Sequence, residues 1–337
     1  MPAQLWSDAA RMAACGLMVA AFAIPLGLAA RLLAQKRNQP ILLRPKAWPV
    51  PWGGFELLLL FAFALIGPAS VVGPALTASG FYPAVYGANA PEDAWLPMKS
   101  LWSAVIFTPL FLGFVWLMTR AAYPTWRPEA ASLPAKAAAA VGTWLGLHPM
   151  VAAVHFTVAA CFLAWSWQPD SHPLEQKFRD GRPMLDQVLF AVEAGIAAPL
   201  LEEVLFRGAL LPWLMGKRYR PVLTLIVVAA LGLALSIETT DGNSEVRYGP
   251  VCFTVFLFAG SLLHRVLRRK HQRTESAIIV SAAFFALVHN PVWPSPIPLF
   301  VLGLGLGWLA VRTRGWLAPA IVHGLFNLVS VLFVLRG

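Results

Sequence analysis

Two adjacent acids, Glu202 and Glu203, and an arginine four residues on, Arg207, stand inside the apolar run Pro199-Leu200-Leu201-Glu202-Glu203-Val204-Leu205-Phe206-Arg207-Gly208. A charge at the centre of a membrane-spanning helix costs at least about 2.5–3.5 kcal/mol on insertion scales, so the cluster demands an account. On a helix Glu203 and Arg207 are i and i+4 with the acid first, the favourable order for an ion pair, while Glu202 points about 100° away. One guanidinium neutralises one acid. The other must be protonated, find a second cation or face a polar cavity, and those are the circumstances in which general bases are found. Glu202 is therefore the candidate base, with Glu203 and Arg207 in support.

Two later apolar stretches also carry polar groups, Phe284-Phe285-Ala286-Leu287-Val288-His289-Asn290 and His323-Gly324-Leu325-Phe326-Asn327. His323 and Asn327 share a helix face, and Phe285 packs one turn before His289. A carboxylate, two imidazoles and an amide can take a proton from water and donate hydrogen bonds to a developing oxyanion. Glu202, His289 and His323 would equally make an open-site zinc set, although without the H-E-x-x-H spacing. Taken singly, each histidine reads as interhelical glue and the charged cluster as an ion network lining a transport pathway.

The elements that must position these groups are membrane helices. Of the 337 residues 58% are hydrophobic and only 12% charged, against about 25% charged in soluble domains. Charge-poor stretches give ten candidate spans, near 10–32, 54–79, 100–119, 149–167, 185–213, 220–237, 250–266, 275–290, 297–311 and 316–335, each measured against the roughly 20 residues a crossing needs. Basic residues fill alternate loops, among them Lys36 and Arg37, Arg120 and Arg127, Lys217 and Arg218, Arg268 to Lys270, and Arg312 and Arg314; acids such as Glu92, Asp170 and Glu238 fill the loops between. The net charge of +10 is thus a topology signal that puts both termini outside, and nucleic acid is not an expected partner. The first span is followed by basic residues rather than a cleavage site and is expected to remain in the protein. Ala135 to Ala140 read as a connector. Cys15, Cys161 and Cys252 lie in apolar runs with no C-x-x-C spacing, which points to packing.

Some polar residues fall outside the set. Glu193 precedes Glu202 by nine residues, roughly 900° on an α-helix, which puts it on the opposite face. His155 has no motif around it, and His148, His172, His264 and His271 fall at span ends or in loops, where a solvated histidine needs no function.

In their order, and on successive apolar segments, Glu202-Glu203-x-x-x-Arg207, Phe285-x-x-x-His289 and His323-x-x-x-Asn327 resemble the three motifs of the intramembrane proteases grouped as CAAX prenyl endopeptidases and bacteriocin-processing enzymes, the CPBP family. The glycine after Arg207 and the Gly303-rich segment before the last motif add to the likeness. The apolar spans and the resemblance, which covers roughly 185–335, together imply an all-α polytopic membrane protein of about ten helices. Its parts are an N-terminal region over 1–148, a linking helix and loop over 149–184, and a protease-like core over 185–335. It implies that Glu202 and His289 activate water, that His323 and Asn327 form the oxyanion site, and that catalysis uses either zinc or no metal at all. The expected substrate is a membrane-associated peptide or protein, the expected place a prokaryotic cell membrane. One departure is visible: 217–274 holds two apolar segments beyond the short connection usual in the family, and an even number of added crossings preserves orientation. The alternative from another class is a transporter or scaffold that uses the same polar cluster.

Overall fold

The computed structural model describes residues 50–89, 92–123, 132–164, 183–216, 221–240, 243–267 and 272–336; the candidate span 10–32 lies outside them. The fold is all-α and polytopic. In chain order the helices are α1 (Gly54–Ala78), α2 (Phe81–Tyr86), α3 (Lys99–Ala122), α4 (Leu133–Ala164), α5 over 184–215, α6 (Pro221–Ala234), α7 (Tyr248–Leu267), α8 (Gln272–Leu287), α9 (Pro296–Thr313) and α10 (Leu317–Arg336). Between α6 and α7 two short strands, β1 (Ile237–Thr240) and β2 (Asn243–Val246), pair antiparallel with Ile237 opposite Val246, an element absent from the sequence reading. Helices α1, α3, α4 and α9 are long and apolar enough to cross a membrane, and α6, α7, α8 and α10 contain shorter apolar runs. Helix α4 begins well before the span placed at 149–167 and absorbs Ala135 to Ala140, because alanine is the strongest helix former and needs no lipid-like hydropathy to continue a helix.

The chain divides into two compact units. Within the described residues the first comprises 50–144, 183–213 and 309–336, and the second 145–164 and 214–308.

In the first unit three stretches of wide π turn interrupt the helices: Pro68–Val72 in α1, and Glu193–Ala197 and Val204–Leu210 in α5. Each has the same local cause. The residue closing the turn donates its backbone N–H five residues back, Gly73 to Pro68, Ala198 to Glu193 and Leu211 to Phe206, and each is followed by a proline, Pro74, Pro199 or Pro212. A proline inside a helix has no N–H to donate and its ring crowds the carbonyl four residues earlier. One extra residue in the turn relieves the crowding without breaking the helix, and leaves carbonyls in need of other donors.

Helix α10 packs on α5 at backbone contact. A Cβ on Gly195 would collide with the Leu328 side chain, and one on Gly324 would collide with the Gly195 carbonyl oxygen. Small residues permit such approach where lipid offers no hydrophobic drive between helices. The core of this unit continues through Met98, Leu101, Leu189, Phe190 and Val331, all buried. Outward on α1 and α3, Phe55, Leu58, Leu65, Leu110 and Trp116 are exposed, as a surface facing hydrocarbon chains requires.

The second unit packs α6, α7 and α8 together, with Gly303 of α9 close against Ala282 of α8. Here His264 departs from the sequence reading. It is 7% exposed, and its Nε2 lies 3.3 Å from Glu275 Oε2, because the next helix of the hairpin brings an acid back to the end of α7.

Candidate active site

Motif one occupies the middle of α5, in the second wide turn and the short α-helical stretch before it. Glu203 and Arg207 form the ion pair their spacing predicts: Arg207 Nη1 donates to Glu203 Oε1 at 2.7 Å, and both side chains are fully buried. Across the helix contact, His323 of α10 sets its Nδ1 3.0 Å from the same Glu203 Oε1. One carboxylate oxygen thus receives the guanidinium and the imidazole together. Because that oxygen is an acceptor, the hydrogen sits on Nδ1, and the ring's other nitrogen is left for a different partner.

That nitrogen faces the second acid. His323 Nε2 lies 3.9 Å from Glu202 Oε2, and the Glu202 side chain keeps 27% of its surface accessible. Oε2 of Glu202 has no hydrogen-bond partner among the described residues, and neither does Oε2 of Glu203. A separation of 3.9 Å exceeds hydrogen-bond reach and is one that a single water can bridge. The two neighbouring glutamates therefore stand in different circumstances: Glu203 is locked between two nitrogens, and Glu202 presents an unmatched oxygen beside an imidazole.

Asn327, one turn after His323, donates from Nδ2 to the carbonyl of Ala194 at 2.8 Å. On a regular helix that carbonyl would receive the N–H of Ala198, which the wide turn diverts to Glu193. Pro199 thus creates the unpaired carbonyl and Asn327 satisfies it. The amide carries a second hydrogen that this bond does not use.

The same turn moves Glu193. An extra residue in the turn removes about 100° from the rotation accumulated between Glu193 and Glu202, so the two acids do not lie on opposite faces. Glu193 stands within electrostatic range of Glu202. Residue spacing alone missed it, and the signal that could have found it is Pro199 in mid-helix.

Motif two lies in the second unit. His289 follows the last regular turn of α8, and its Nδ1 lies 2.8 Å from the carbonyl of Phe285, four residues earlier. Since a carbonyl only accepts, Nδ1 carries the hydrogen and Nε2 is the nitrogen free to take a proton. The Phe285 ring, fully buried, packs at 5.3 Å from the imidazole centroid. The structure thus brings Glu202, Glu203, Arg207, His323 and Asn327 together in one unit and puts Phe285 and His289 in the other. Among the described residues no group of three His, Cys, Asp or Glu side chains is placed to hold a metal ion. Glu202 and His323 supply two donors within their unit, short of the three protein ligands of an open zinc site.

Comparison with known proteins locates the likeness in the same region. Residues 184–273 and 256–329 match the profile of the type II CAAX prenyl endopeptidase Rce1-like family. The match comes in two pieces that overlap over residues 256–273. A curated relative, the phospho-N-acetylmuramoyl-pentapeptide-transferase of Anaeromyxobacter sp. (strain Fw109-5), is 28% identical over 195 residues, which cover 52% of this chain and 47% of the relative. The chain thus spans about half the length of the curated relative it matches. No solved structure matches.

Proposed function

We propose, on the match of residues 184–273 and 256–329 to the type II CAAX prenyl endopeptidase Rce1-like family, that the chain is a membrane-embedded endopeptidase that hydrolyses a peptide bond of a membrane-associated protein or peptide with water activated at Glu202. The observation that carries this reading is the unmatched Glu202 Oε2, 3.9 Å from His323 Nε2. A water held between them lies within reach of a base that has no competing partner. Glu202 takes a proton from this water as the oxygen forms its bond to the scissile carbonyl carbon, and the carbonyl becomes an oxyanion. Collapse of that intermediate breaks the carbon–nitrogen bond, and the proton on Glu202 passes to the departing amine.

His323, held at Nδ1 by Glu203, and Asn327, with its second amide hydrogen, form the proposed oxyanion site. Glu203 and Arg207 act as positioning residues, since they hold the imidazole rather than touch the substrate. His289, whose Nε2 is unprotonated when Nδ1 serves Phe285, is assigned a part in activating the water by its family motif alone. The described residues do not assemble the three donors of an open zinc site, and the steps above draw only on the side chains. The membrane concerned is proposed to be a prokaryotic cell membrane.

Proteolysis in reconstituted liposomes tests this reading. The purified chain is incubated in water enriched in oxygen-18 with a library of membrane-tethered peptides, with and without a chelator. Cleavage that places one heavy oxygen in the new carboxyl terminus supports hydrolysis by activated water, and survival of that cleavage under chelation supports the metal-free route. Absence of cleavage across the library favours the transporter or scaffold reading.

A further inference from the structure

Helices α6 and α7 and the hairpin between them are built onto the residues that follow His289. Asn290 is fully buried, and its Nδ2 donates at 3.0 Å to the carbonyl of Gly232 near the C-terminal end of α6. The last carbonyls of a helix have no backbone donors of their own, so Asn290 caps α6. Two hydroxyls flank the contact. Ser236 Oγ and Thr254 Oγ1 each lie 3.4 Å from the same amide nitrogen. Their own hydrogens are spent on the carbonyls of Gly232 and Pro250, which leaves their lone pairs facing Asn290. A glycine is required at the centre of this contact, since a Cβ on residue 232 would stand 2.9 Å from both the Leu287 and Thr254 side chains.

Two more contacts fasten the same turn. Arg247, just after β2, donates from Nη1 to the carbonyl of Pro291 at 3.0 Å, and its backbone N–H donates to Ser236 at 2.9 Å. Gly249, at the start of α7, lies against the Trp293 ring so closely that a Cβ would sit 2.7 Å from it. The turn from His289 to Trp293 therefore takes its side-chain hydrogen bonds from α6, α7 and the β2–α7 junction. His289 itself receives from this turn only the Val292 N–H on its carbonyl, and its imidazole is anchored to Phe285.

We propose that α6 and the start of α7 position His289, acting through Asn290 on α6 and Arg247 on the turn. The inference rests on the catalytic reading of His289. It assigns Asn290 and Arg247 as positioning residues and gives α6 and α7 a role in the reaction.

The test pairs kinetics with a signal that needs no substrate. The full chain in detergent carries nitrogen-15 histidine, with the His289 resonances identified by their loss in His289→Gln. The wild type shows a protonated Nδ1 and an unprotonated Nε2 at His289. Asn290→Ala splits or shifts those two resonances and lowers kcat about 10- to 100-fold while KM changes little. Arg247→Ala moves both readouts in the same direction in a protein whose buried contacts are intact, and Arg247→Lys restores them through its own donor. His289 resonances unchanged in both Asn290→Ala and Arg247→Ala overturn the proposal. Should the wild type cleave no peptide, the protease reading fails separately and the resonances still decide: a shift upholds positioning of His289 by α6 and α7, and no shift rejects it.

Discussion

His323 Nδ1 and Glu203 Oε1 lie 3.0 Å apart across two helices whose backbones touch at Gly195 and Gly324. The carboxylate that neutralises Arg207 is thereby also the group that fixes the imidazole, so the charge that makes α5 costly in lipid is the charge that orients α10. Glu202, one residue earlier, is spared that work and keeps an oxygen unmatched.

Removing the guanidinium leaves Glu203 buried with a single imidazole partner. Breaking a fully buried pair by deleting one member costs about 3–5 kcal/mol, so Arg207→Ala is expected to lower the unfolding midpoint in detergent sharply. A double variant Arg207→Leu with Glu203→Leu, which removes both charges, is expected to recover much of that stability without activity. Equal melting of Arg207→Ala and wild type would show that the pair bears no structural load.

Asn327→Ala removes the donor to Ala194 and strands a carbonyl within the membrane. The expected loss of stability is about 1–3 kcal/mol, and loss of an oxyanion donor adds a fall of roughly 10²–10³-fold in kcat. Thermal melting and single-turnover cleavage separate the two effects. A drop in melting temperature with kcat intact would confine Asn327 to the structural bond.

At Gly324 a methyl group would meet the Gly195 carbonyl oxygen. Overpacking of this kind costs about 1–3 kcal/mol, and here it also draws His323 away from Glu203. Gly324→Ala is expected to reduce cleavage more than Gly315→Ala, since a Cβ at Gly315 meets nothing within 4 Å. Comparable activity in the two variants would contradict the close approach of α5 and α10.

Outside the spanning segments, Tyr86 donates from its hydroxyl to Asp186 Oδ1 at 2.8 Å and receives the indole N–H of Trp102 at 3.2 Å. Burial foremost, with the neighbouring Asp186 adding to it, pushes the Tyr86 phenol from 10.0 up to about 12. A group whose folded value is raised contributes its stability in full below the unfolded value, here pH 10, and loses it as pH rises through 12. Stability compared between wild type and Tyr86→Phe should therefore differ by a constant amount up to about pH 10, and the difference should shrink from there to about pH 12. A difference that grows over that window would reverse the sign.

The motifs were legible in the sequence because charged and polar side chains inside apolar runs are few and costly. The Glu203–Arg207 contact followed from i, i+4 spacing alone. Glu193 was hidden because constant rotation per residue fails where a proline opens a wider turn, and three X-Pro steps in α1 and α5 do so. The start of α4 was hidden because alanines with modest hydropathy read as a connector. His264 reads in the sequence as an interfacial or solvated histidine, since its acid, Glu275, lies across a helical hairpin that spacing does not reveal. The hold of Asn290 on α6 spans 58 residues and depends on a glycine carbonyl, a partner no side-chain pattern announces.

The division of labour between the adjacent glutamates is most directly tested by Glu202→Gln and Glu203→Gln, compared in the same liposomes for melting temperature and single-turnover cleavage of a tethered peptide. Glu202→Gln should melt like the wild type and cleave nothing, because it removes only the unmatched oxygen's basicity. Glu203→Gln should melt at a lower temperature, because Arg207 loses its counter-charge. Cleavage by Glu202→Gln at the wild-type rate would contradict the assignment of the base.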